Sequence, residues 1–336
     1  MTIQVGVIGA GAWGTALAHL MATKGEPVTL WAYEPEVVAE INDHHENRTY
    51  LPAIELPPNL TATGDLAAAV AGRDLLVSVV PSHVLREVMG QVAPHLPQGV
   101  PIVSASKGIE NKTLMTMSEV LEDVLPMVYH PMLAFLSGPS FAHEVGLLQP
   151  AAVSVAARFE KVAEQVQQEM ASPYFRIYSS TDVPGIELGG ALKNVIAIAA
   201  GAASGLGLGT NTGAALITRG LAEISRLAVH RGANPLTLAG LSGMGDLVLT
   251  CTGELSRNRS VGEKLGQGMK LADIVRDMKQ VAEGVKTAKS VYNLAAREGI
   301  EMPICNMVYR MLYEDLAVPE AVVGLMTRKL KREVSH

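Results

Sequence analysis

Four short stretches of this 336-residue chain carry side chains whose type and spacing suit chemistry. The first runs from Pro184 to Gly209. Its section 186–203 reads as a helix that is apolar or small all round, with Lys193 followed by Asn194 in the middle. Such a helix belongs in a protein interior. An ammonium group there is costly to desolvate unless it meets a polar cleft or a partner. A lysine so placed can have its pKa lowered toward neutrality, which suits proton transfer. The plainer reading is a lysine snorkelling to the surface.

The second stretch, Ser242-Gly243-Met244-Gly245-Asp246, carries a carboxylate into a tight turn ahead of an apolar run. Asp246 either caps the helix that follows or pairs with Lys193 or a substrate hydroxyl. In the third, Ser256-Arg257-Asn258-Arg259 precedes a helical run over 261–265. Arginine forks and free backbone donors at a helix N-terminus make a phosphate clamp, and an exposed basic loop is the other reading. The fourth is Gly9-Ala10-Gly11-Ala12-Trp13-Gly14, set between a strand pattern (Ile3, Val5, Val7, Ile8) and a helical run over 15–24. That context gives the G-x-G-x-x-G spacing its meaning. Gly9 permits the tight turn, Gly11 the approach of a pyrophosphate, and Gly14 close helix packing. The pyrophosphate then meets the helix N-terminus.

Those residues need a frame. Runs at 28–31, 74–80, 101–105 and 132–136 read as buried parallel strands, and 151–156 and 175–178 as further strands around a charged helix. Lys107, in Ser106-Lys107-Gly108, and the turn Ser137-Gly138-Pro139-Ser140-Phe141-Ala142 both fall at strand exits, the side on which ligands lie. Glu34 stands 20 residues after Gly14, where an acid accepts from an adenosine ribose. Tyr33 beside it packs on an adenine or caps the sheet edge. No Lys or Arg occupies this corner, so the choice between NADH and NADPH is not legible. The alternation predicts an α/β fold with a Rossmann-type, doubly wound, mostly parallel sheet over 1–183. An all-helical second domain is expected over 184–336, with Val281-Ala282-Glu283 leading into one of its helices.

Composition narrows the function classes. A net charge of −6 with no long basic run argues against a nucleic-acid or anionic-membrane binder. Two cysteines give neither a disulfide framework nor metal-type spacing, and no metal site is expected. The longest uninterrupted apolar run, 195–203, is too short to span a bilayer, and no signal peptide is evident. These features predict a soluble, cytoplasmic protein.

Taken with Val79-Val80-Pro81-Ser82-His83, Leu192-Lys193-Asn194-Val195-Ile196-Ala197 and Gly245-Asp246-Leu247, the stretches resemble bacterial NAD(P)-dependent glycerol-3-phosphate dehydrogenases over essentially the whole chain. The resemblance implies reversible reduction of dihydroxyacetone phosphate to sn-glycerol 3-phosphate with NAD or NADP, for glycerophospholipid synthesis, commonly by a homodimer. It makes Lys193 the proton donor and acceptor, with Lys107 and Asp246 beside it in the catalytic set. It assigns Lys107, Gly138, Ser140, Asp246, Ser256, Arg257 and Asn258 to substrate. It assigns Ala12, Trp13, Tyr33, Lys107, Ala142, Arg257, Val281 and Glu283 to the cofactor, with Gly9, Gly11 and Gly14 forming its turn. Tyr33 departs from the His or Arg of many members, and Ala12 from a frequent Ser. The rival readings are a β-hydroxyacid dehydrogenase, which also places a lysine on its first interdomain helix, and a non-catalytic dinucleotide sensor.

Overall fold

The computed structural model describes residues 2–276, 278, 282–330 and 332–333. It divides into two compact units, residues 1–191 with 228–246 and residues 192–227 with 247–336. The division falls inside a helix, between Ala191 and Leu192.

The first unit is built on eight strands: β1 (Val5–Ile8), β2 (Val28–Trp31), β3 (Leu60–Thr63), β4 (Leu75–Ser78), β5 (Ile102–Ser104), β6 (Leu133–Ser137), β7 (Ala151–Ala157) and β8 (Phe175–Ser180). Their order is β3-β2-β1-β4-β5-β6-β7-β8. All neighbours are parallel except β6 and β7, which run antiparallel. The link between those two, residues 138–150, holds only a five-residue helix. Helices of this unit are α1 (Ala12–Thr23), α2 (Pro35–His44), α3 (Leu66–Val70), α4 (Leu85–Val92), α5 (Met117–Val124), α6 (Ala142–Gly146) and α7 (Glu160–Met170).

Strand β1 is buried throughout, because helices cover both faces of the sheet. One core joins Leu17, Leu20 and Met21 of α1 to Val7, Val77, Val153 and Phe175. The opposite core joins Leu85 and Met89 of α4 and Val120 and Leu121 of α5 to Leu76, Ile102 and Phe135.

Helix α8 (Val183–Gly205) starts in the first unit and continues into the second. Next come α9 (Thr210–His230), α10 (Pro235–Ala239), a π-helical turn at Leu241–Gly245, and α11 (Asp246–Thr252). The chain ends with α12 (Arg257–Gly266), α13 (Leu271–Arg276), α14 (Glu283–Glu298), α15 (Pro303–Tyr313) and α16 (Val318–Met326). Among the described residues the second unit has no strand. By length and composition α8 alone among the described helices is apolar enough to cross a membrane, yet 94% of its apolar window is buried inside the molecule. It is a core helix, and Glu187 and Lys193-Asn194 are what cut its uninterrupted run short.

Glycines set how closely α8 and α12 approach within the second unit. A Cβ on Gly201 would lie 2.0 Å from the Arg259 carbonyl, and one on Gly262 would lie 2.1 Å from that of Ile198. Only hydrogen fits at either place, so the two backbones pack in direct contact. Buried Glu223 of α9 accepts from the backbone N–H groups of Ile304 and Cys305, closing the N-terminus of α15.

Candidate active site

The glycine turn is built as its sequence demands. Gly9 follows β1 with φ +113°, and its N–H donates to the Trp31 carbonyl at 3.1 Å. A Cβ on Gly14 would sit 1.8 Å from the Gly9 carbonyl, so α1 presses directly on the turn. Helix α1 begins at Ala12, earlier than the expected 15, and Gly11 is its N-cap with no side chain capping it. Nothing lies within 4 Å of where a Gly11 Cβ would stand. Free first-turn N–H groups behind open space are what a pyrophosphate needs. These residues fit a dinucleotide. Trp13 packs at 6.3 Å from the Phe175 ring, Ala142 opens α6 beside α1, and Tyr33 is 81% exposed, its ring T-shaped to that of Trp31 at 6.4 Å.

At the exit of β5, the Lys107 ammonium donates to Asp246 Oδ2 at 2.9 Å and to the Gly138 carbonyl at 3.4 Å. The same carbonyl accepts from Ser140 Oγ at 3.0 Å. Asp246 is fully buried, and it reaches Lys107 because the π turn delivers it as the first residue of α11. The four first-unit residues Lys107, Gly138, Ser140 and Asp246 therefore form one cluster. The Asp246–Lys107 pair adds a partner to those expected from the sequence.

The second unit gathers the others. Lys193 is 8% exposed on α8. Next to it, Asn194 Oδ1 accepts from Asn258 Nδ2 at 2.9 Å, and Asn258 Oδ1 accepts from the Gly284 N–H at 2.9 Å. Ser256 caps α12 through the Arg259 N–H at 3.2 Å. The helix thus starts at Arg257 rather than within the expected 261–265, which puts Arg257 in its first turn. Arg259 is paired with Glu263 at 2.7 Å. Glu283 opens α14 next to Gly284. Val281 lies outside the described residues.

Sequence reasoning missed three groups that hold these sites. Asn47, fully buried, donates to the Ala10 carbonyl and to Thr15 Oγ1. Tyr50 reaches Glu34. Glu187 of α8 accepts from the N–H of Ser118 at 2.8 Å and from its Oγ at 2.5 Å, and desolvation lifts its carboxyl to about 7. A lone acid in an apolar helix was a legible signal for the last.

Residues 4–163 match the family model for the N-terminus of NAD-dependent glycerol-3-phosphate dehydrogenase, and residues 182–323 match the model for its C-terminus. The chain belongs to that family. It is 59% identical over 333 residues to glycerol-3-phosphate dehydrogenase [NAD(P)+] of Geobacter sulfurreducens, covering 99% of each chain. The same-named protein of Citrifermentans bemidjiense is 57% identical over 333 residues, again covering 99% of each. The crystal structure of glycerol-3-phosphate dehydrogenase from Coxiella burnetii superposes with a TM-score of 0.93 at 40% identity, covering 97% of this chain and 99% of that one. The glycerol-3-phosphate dehydrogenase fold accordingly spans both units.

Proposed function

We propose that this chain catalyses the reversible, NAD(P)-dependent interconversion of dihydroxyacetone phosphate and sn-glycerol 3-phosphate. The observation that carries the reading is the Asn194–Asn258 hydrogen bond. It ties the neighbour of Lys193 to the neighbour of Arg257, so a buried amine and a phosphate-type helix start share one rigid frame.

In this reading residues 1–183 hold the dinucleotide and 184–336 supply the catalytic amine. Gly9, Gly11 and Gly14 would hold the pyrophosphate of a dinucleotide, which in its reduced form would supply hydride for the substrate carbonyl carbon. Lys193, as an ammonium, stabilises the negative charge developing on the carbonyl oxygen and protonates it. In the oxidative direction the neutral amine removes the carbinol proton. Ser256, Arg257 and the first turn of α12 grip the phosphate, and that remote binding orients the reacting carbon. Asp246 fixes Lys107, and Gly138 and Ser140 are assigned to the substrate with it. Ala12, Trp13, Tyr33, Ala142, Val281 and Glu283 contact the cofactor.

The reading extends to a homodimer acting in the cytoplasm in glycerophospholipid synthesis, without membrane insertion or nucleic acid. These features rest on the family resemblance. The test follows NAD(P)H absorbance with dihydroxyacetone phosphate against unphosphorylated keto acids. We expect kcat/KM for the phosphate ester to exceed the others by at least about a hundredfold, since the phosphate grip is lost without it. Comparable rates with keto acids would point to a β-hydroxyacid dehydrogenase instead.

A further inference from the structure

We propose that Glu34, held in place by Tyr50, makes the dinucleotide site select NADH over NADPH. The inference rests on the reading that the glycine turn holds a dinucleotide.

Glu34 is the N-cap residue of α2, just past the end of β2, yet its side chain does not cap that helix. Its Oε1 instead accepts from the Tyr50 hydroxyl at 2.8 Å. That hydrogen bond, and then desolvation, raises the Tyr50 phenol above its ordinary pKa and keeps it a donor. Tyr50 is itself registered to the glycine turn. Its N–H donates to Asn47 Oδ1 at 3.0 Å, and Asn47 Nδ2 donates to the Ala10 carbonyl at 2.9 Å and to Thr15 Oγ1 at 2.8 Å. Thr15 Oγ1 closes the loop by donating to the same Ala10 carbonyl at 3.1 Å. A continuous set of hydrogen bonds therefore fixes the Glu34 carboxylate relative to the turn that would hold the pyrophosphate.

Among the described residues Glu34 Oε2 has no protein partner. A carboxylate oxygen at the end of β2 accepts a hydrogen bond from a ribose 2′-hydroxyl. A 2′-phosphate at that place is dianionic or nearly so, cannot donate, and is repelled by the fixed charge. Neither β2 nor α2 carries a Lys or Arg to relieve it. Residues 25–47 contain no Lys or Arg but carry Glu26, Glu34, Glu36, Glu40, Asp43 and Glu46. Arg48, the first cation after them, is paired with Glu46 at 2.6 Å. At the adjacent exit of β3, Asp65 adds another carboxylate, capping α3.

The test titrates NADH and NADPH separately into the purified full chain, following nucleotide fluorescence with no second substrate. NADH should bind at least about tenfold tighter, the scale of one discriminating polar contact. Glu34→Gln, which keeps the side-chain shape, should bring the ratio to within about threefold, chiefly by tightening NADPH. Tyr50→Phe should weaken NADH by a few fold and leave NADPH unchanged, which a merely structural role would not do. Circular dichroism confirms that both variants fold. Equal affinities in the unaltered chain, or a ratio unmoved by Glu34→Gln, overturns the selection while the dinucleotide reading stands. Failure to bind either nucleotide overturns both.

Discussion

The ammonium of Lys107 and the carboxylate of Asp246 lie 2.9 Å apart, joining the exit of β5 to the first residue of α11 across 139 positions of sequence. Asp246 is fully buried and the Lys107 side chain nearly so. A pair of this kind contributes little net stability, but removing one member strands the other. Asp246→Ala should therefore lose about 3 kcal/mol in urea unfolding and most turnover. Combining Lys107→Met with Asp246→Leu should restore much of the stability and none of the turnover. That split separates a role in chemistry from a role in folding.

Gly11 and Gly14 should respond differently to one added methyl group. Gly14→Ala meets the Gly9 carbonyl at 1.8 Å and should cost several kcal/mol, about the penalty of severe overpacking. Gly11→Ala meets no protein atom within 4 Å, so its thermal midpoint should stay close to that of the parent. Its nucleotide affinity should still fall at least about tenfold, because the methyl stands where the pyrophosphate approaches.

Asn258 and Arg257 are neighbours with separable effects. Asn258→Ala leaves Asn194 Oδ1 and the Gly284 N–H without their partner and should cost about 2 kcal/mol. Arg257→Ala should leave unfolding nearly unchanged, since the residue is exposed at the start of α12. It should chiefly raise KM for dihydroxyacetone phosphate. Steady-state kinetics beside urea titration distinguishes the two.

Glu187 gives a stability signature in pH. Its carboxyl titrates near 7 in the fold against an ordinary value of 4.5, mainly through desolvation. Between those values the folded state binds the extra proton, so this group's contribution to stability falls as pH rises from about 4.5 to about 7. Glu187→Gln keeps an acceptor for Ser118 and removes the titration. The stability of the variant relative to the parent should rise across that window, by about 2 kcal/mol after allowing for solvent screening. A flat difference across the window would remove Glu187 as the titrating group.

The sequence exposed the strand cores, the glycine turn and the buried lysine because each rests on short-range pattern. Val5 to Ile8 are apolar or small in a row, and 9–14 place glycines at fixed offsets. Strand β3 was not legible, since Leu-Thr-Ala-Thr alternates weakly over four residues and pairs only at the sheet edge. The starts of α1 and α12 fall earlier than periodicity predicts, because a helix begins at its cap and not at its first apolar residue. Asp246 meeting Lys107, and Asn47 meeting Ala10, are long-range contacts. Only the packed fold creates them, and no local spacing announces either.

The central claim is that the Lys193 amine moves the proton on the substrate oxygen. The direct measurement is kcat for Lys193→Ala at saturating dihydroxyacetone phosphate and nucleotide, alongside nucleotide affinity and circular dichroism. The account predicts a folded protein that binds nucleotide normally and loses about a thousandfold or more in kcat. Near-normal turnover by that folded variant would contradict it.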